Sequence, residues 1–113
     1  MSTPSMDNIP GSFAALQAAF LPQNAAGVTR SFQFDFSGRE AGTWNATVAN
    51  GAFNYAQGPA TNPDATIAVD SDDWLKLLKG ELDGMSAFMQ GKIKVTPMSA
   101  AMGLMQFQQW FAR

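Results

Sequence analysis

A chain of 113 residues with 46% hydrophobic and 14% charged residues has the composition of a folded domain with an unusually neutral surface, since about 25% charged is ordinary. It contains no cysteine and no histidine, which excludes disulfides, thiolate nucleophiles, metal sites built on sulfur or imidazole, and serine–histidine–aspartate triads. A net charge of −2, with seven basic residues spread along the sequence, argues against nucleic acid as a partner, because phosphate backbones select clustered Lys and Arg.

The length fits one domain over residues 1–113, able to bury about two-thirds of the surface of the unfolded chain. No apolar run approaches the ~18 residues needed to span a bilayer. Met1 to Asp7 lacks the layout of a secretory signal, and Phe111-Ala112-Arg113 is not a peroxisomal address of the Ser-Lys-Leu type. The expected location is the cytoplasm.

Ser12 can cap a first helix running to Leu21, with Phe13, Leu16 and Phe20 on one face and Pro22 stopping it. After a loop from Gln23 to Thr29 the period changes from helical to alternating. Phe32, Phe34 and Phe36 alternate with Gln33 and Asp35, and Trp44, Ala46 and Val48 with Asn45 and Thr47. Asn50-Gly51 then marks a tight hairpin, because both central positions of a type I′ turn need positive φ. Phe53 and Tyr55 follow, then Ile67 and Val69, and later Ile93 and Val95. Five short strands with one apolar face each predict a sheet covered on one side and wetted on the other, which favours antiparallel pairing. The cover must be helical, so the fold class is α+β.

Ser71-Asp72-Asp73 reads as a cap with acidic residues in the first turn, where the helix dipole favours them. Trp74, Leu77 and Leu78 give that helix its buried face, and Gly80 ends it. A helical turn from Met85 to Gln90 carries Phe88 and Met89 and is ended by Gly91. Thr96-Pro97 suits the cap and first position of a terminal helix. At about 100° per residue, Met98, Met102 and Met105 fall along one side of that helix. Leu104, Phe107 and Phe111, with Trp110 at their edge, fall on the other. A helix that only covers a core needs one apolar stripe. The second must meet a partner protein, a bilayer, or an apolar ligand held between helix and core.

From Phe32 onward the order of short motifs resembles the sterol carrier protein type 2 (SCP-2) domain. The matching pieces are Gly42-Thr43-Trp44, Asn50-Gly51, Asp64-Ala65-Thr66-Ile67, Ser71-Asp72-Asp73-Trp74 and Leu78-Lys79-Gly80, followed by the most specific stretch, Ala87-Phe88-Met89-Gln90-Gly91-Lys92-Ile93-Lys94-Val95. The resemblance implies a five-stranded, mostly antiparallel sheet with helices packed on one face and an apolar tunnel between the layers. It also implies non-catalytic binding and transfer of fatty acid, acyl-CoA, sterol or phospholipid, with no cofactor. One departure stands out: Thr96-Pro97 replaces the family's Gly-Asp or Gly-Asn turn, which alters how the terminal helix leaves the sheet.

The expected lipid wall comprises Phe34, Phe36, Trp74, Leu77, Leu78, Phe88, Met89, Gln90, Ile93, Met98, Met102, Leu104, Met105 and Phe107. Methionines, Met85 among them, either fill the core or make a deformable ligand-facing wall. Gln90 either binds the polar end of a ligand or bonds backbone at a helix end. Lys92 and Lys94 read as solvated strand residues. Burying about ten methylenes at ~0.8 kcal/mol each offers roughly 8 kcal/mol before ordering costs, so a wide ligand range follows without precise polar contacts. Asp70, Asp72 and Asp73 are accounted for by capping, and Ser86 has no histidine to activate it, so no catalysis is expected. Two alternatives remain: a protein-interaction or scaffold module, including a homodimer through the terminal helix, and an accessory protein presenting an isoprenoid or acyl intermediate to a biosynthetic enzyme. Transient membrane contact is compatible with the lipid reading.

Overall fold

The computed structural model describes residues 7–96 together with Trp110 and Phe111. The five strands are β1 (Arg30–Ser37), β2 (Gly42–Ala49), β3 (Ala52–Gln57), β4 (Ala65–Asp70) and β5 (Ile93–Thr96), and the helices are α1 (Ile9–Ala19), α2 (Ser71–Lys79) and α3 (Gly84–Met89). Among the described residues, the five strands form one sheet in the order β3-β2-β1-β4-β5. Three of the four pairings are antiparallel, and only β1 against β4 is parallel. The fold is therefore α+β with a mostly antiparallel sheet.

Each strand obeys the alternation read from its sequence. Phe32, Phe34 and Phe36 of β1 are buried, as are Ala46 and Val48, Phe53, Ala65, Ile67 and Val69, and Ile93 and Val95. The opposite face carries Gln33, Asp35, Asn45, Thr47 and Thr66, none of them buried. Asn50 and Gly51 sit at φ +54° and +72°, the positive-φ pair the β2–β3 hairpin requires.

Two caps differ from expectation. Helix α1 starts at Ile9, before Ser12, because Asn8 caps it: its side chain accepts from the Gly11 N–H at 2.7 Å. Helix α2 is capped by Asp70, whose Oδ1 accepts from the N–H groups of Asp72 (2.9 Å) and Asp73 (3.4 Å). Ser71 instead turns inward, fully buried, and accepts from the Glu40 N–H at 3.1 Å. Both displaced serines have been drawn into the interior, where a tertiary partner outweighs a local cap.

Candidate functional site

The space between α1, α2 and the centre of the sheet is an aromatic core. Phe13 of α1 is fully buried, with its ring centroid 5.3 Å from that of Phe34, edge on, and 5.3 Å from that of Trp44, stacked. Trp74 lies 5.1 Å from Phe34 and 5.7 Å from Phe36. Its indole Nε1–H donates to Ser12 Oγ at 3.0 Å, and Ser12 donates onward to the Ile9 carbonyl at 2.6 Å. Phe34, Phe36 and Trp74 are thus packed against one another and against Phe13. The sequence placed Phe13 on the inner face of its helix but gave it no part beside these three.

The apolar layer is partly open at Phe20, Val28, Trp44 and Tyr55, and again along the far end of α2 and around α3. Three and four residues on from Trp74, one turn along α2, Leu77 and Leu78 share its face, yet they are half-buried where Trp74 is buried. Leu82 and Phe88 are half-buried as well, all four packing against the core. Leu82 lies in the turn between helices, where no periodicity could have marked it. Ile93 is buried on the inner face of β5. Met89 is 79% exposed and Met85 49%. Gln90 is exposed as well, and its backbone N–H closes α3 on the Ser86 carbonyl at 3.0 Å. Five expected wall residues, Met98, Met102, Leu104, Met105 and Phe107, lie outside the described residues.

Local backbone chemistry fixes this region. At the end of α2, Gly80 at φ +78° lets its N–H reach the Leu77 carbonyl (3.2 Å) and the Glu81 N–H reach Lys76 (2.9 Å). This paired closure is the usual glycine stop. Helix α3 ends the same way, with Gly91 on Phe88 (3.1 Å) and Lys92 on Ala87 (2.9 Å). It begins at Asp83, whose Oδ2 accepts from the Ser86 N–H at 2.9 Å. That bond, helped by the Ser86 hydroxyl and the Met85 N–H, holds the Asp83 carboxyl below its ordinary range. Ala87, fully buried, pins α3 to the body of the protein.

The far end of the chain returns to α1. The Leu21 N–H donates to the Trp110 carbonyl at 2.6 Å, and Phe111 bridges to Phe20. Phe111 meets the Phe53 ring edge on at 5.2 Å, and Trp110 lies 6.2 Å from Phe32. Both are buried against the core, Trp110 in a turn and Phe111 in an antiparallel bridge rather than in the expected terminal helix, because pairing with Phe20 holds this end extended. The rest of that expected helix lies outside the described residues. Among the described residues no group of three His, Cys, Asp or Glu could hold a metal, and no helix is long and apolar enough to cross a membrane.

Comparison with known proteins agrees with this architecture. The chain is 37% identical over 65 residues to a hydroxysteroid dehydrogenase-like protein 2 from Xenopus tropicalis, a match covering 57% of this chain and 16% of that protein. The chain thus spans about a sixth of the length of that relative. Among solved structures it resembles a stereoselective inverting sec-alkylsulfatase from Pseudomonas, with a TM-score of 0.81, 18% identity, and coverage of 91% of this chain and 16% of that one. It also resembles sterol carrier protein domain 2 of Helicoverpa armigera, with a TM-score of 0.70, 23% identity, and coverage of 96% and 92%. The profile of the SCP-2 sterol transfer family matches residues 14–109, and the chain belongs to that family.

Proposed function

We propose that this chain binds an apolar lipid reversibly and hands it on without chemical change, working from the cytoplasm. The observation that carries the reading is the half-buried apolar set Leu77, Leu78, Leu82 and Phe88 along the end of α2 and around α3, in a chain of the SCP-2 sterol transfer family. Buried Ile93 stands behind that set, the packed Phe34–Phe36–Trp74 cluster forms a closed floor, and Met89 and Gln90 form an outer rim. Met98, Met102, Leu104, Met105 and Phe107 supply the remaining wall in this reading. A pocket of apolar wall and few polar groups selects for length and greasiness rather than for one molecule, so acyl chains, acyl-CoA, sterols, phospholipids and isoprenoids are its cargo class. Without histidine or cysteine, the chain offers no nucleophile–base pair of the usual kind.

A second reading is favoured by the match to larger proteins. A fold that corresponds to 16% of a dehydrogenase-like protein and 16% of a sulfatase suits a module that presents apolar substrates to an enzyme. The binding step is common to both readings.

Displacement of a fluorescent fatty acid from purified protein, with native mass spectrometry of the complex, tests that step. Binding at micromolar concentration is expected. Leu78→Asp or Phe88→Asp should weaken it tenfold or more, since burying a carboxylate in an apolar wall is costly. No displacement at tens of micromolar would sink the carrier and the presenter together.

A further inference from the structure

Met85 and Met89 are the exposed large hydrophobic residues among those described. They lie four apart on α3 and so share one face. The helix presenting them is rigidly set, capped by Asp83, closed through Gly91 and anchored by fully buried Ala87. Along the sequence to either side of them the charge pattern reverses. Residues 76–94 carry four lysines against two carboxylates, while the rest of the chain carries three arginines against seven carboxylates. Lys76 and Lys79 stand in the last turn of α2, Lys79 with its ammonium 3.6 Å from the Asp7 carboxylate, and Lys92 is tied to α3 by its N–H bond to Ala87. Lys94 belongs to the open face of the sheet, paired across from Ala68. Of the two local acids, Asp83 is engaged in capping α3, which leaves Glu81 exposed.

We propose that this corner docks on an anionic lipid surface, Met85 and Met89 entering the interface while Lys76 and Lys92 meet the headgroup phosphates. Two methionines fall far short of the ~800 Å² per partner that a stable protein interface buries. A bilayer accepts such a shallow insertion and adds attraction for each flanking lysine. The inference rests on the carrier reading only in supplying the place where cargo is collected; docking is measured on its own.

The test is co-sedimentation with vesicles of phosphatidylcholine alone or with about a third phosphatidylserine. Binding to the anionic vesicles, weakened by salt, is expected. Lys76→Gln with Lys92→Gln should lower it about 25-fold, at roughly fivefold per lysine near the surface, and Met89→Gln about tenfold. Glu81→Gln should tighten it, which a merely structural role would not do. In the absence of vesicles, the two lysine changes should leave fatty-acid displacement unaltered. Equal binding to neutral and anionic vesicles, no binding, or binding unmoved by these variants would overturn the proposal. So would a dimer in sedimentation velocity that Met89→Gln abolishes, because a second copy would then be the occupant. Lost vesicle binding with intact displacement sinks docking alone; lost displacement with intact vesicle binding sinks the carrier alone.

Discussion

Ser12 holds two roles that its sequence position does not advertise. Its hydroxyl accepts the Trp74 indole N–H and donates to the Ile9 carbonyl, wholly out of solvent. Ser12→Ala should therefore cost about 1–3 kcal/mol in urea unfolding, the penalty for leaving a buried donor without an acceptor. The loss should shrink by about 1 kcal/mol in a Trp74→Phe background, where that donor is gone. Asp83 is the residue whose role depends on pH. Its folded carboxyl titrates below the ordinary aspartate value because Ser86 donates to the charged form. Its stabilising contribution is thus complete above the unfolded value of about 3.9 and is lost as pH falls through the lower folded one. Asp83→Ala should be less stable than the parent at neutral pH, and thermal melts should show the gap closing in acid. A gap that holds constant into strong acid would mean that the cap bond contributes nothing.

Helix α2 shows how far local patterning carries and where it stops. Its acidic first turn, its inward Trp74 and its Gly80 stop are all legible in nine residues plus one. The local sequence points to a cap one place too late, because Ser71 and Asp70 both have capping side chains and only the contact with Glu40 decides between them. The same cap explains Gly38, which follows β1. At φ +87° it occupies a backbone region costly for other residues, and a Cβ there would collide with the Asp70 carboxylate. Gly38→Ala should lower stability by about 2–3 kcal/mol, combining the left-handed penalty with loss of the cap. Far-ultraviolet circular dichroism during urea unfolding would measure it; a loss below about 0.5 kcal/mol would show that Asp70 can move aside freely. The β2–β3 hairpin needed no such context, since Asn50-Gly51 carries its own turn chemistry.

At the scale of the molecule, the last aromatic residues close the structure. Trp110 and Phe111 are buried against Phe32, Phe53 and Phe20, and the Trp110 carbonyl accepts the Leu21 N–H. Trp110→Ala should destabilise by about 3–5 kcal/mol, the range for emptying a large core side chain, as measured by the urea midpoint. Truncations meant to probe a dimer through this end would remove core as well, so point substitutions report more cleanly. Period-two alternation, glycine stops and the order of short motifs determined the five strands, the covered face, helices α1 to α3 and the family, because those signals are written in neighbouring residues. The parallel pairing of β1 with β4 was decided only in three dimensions, as were the inward turn of Ser12 and Ser71 and the packing of Phe34, Phe36 and Trp74 onto Phe13. Those outcomes depend on which distant side chains arrive at the same place, and spacing along one strand or helix carries no record of its neighbours across the core.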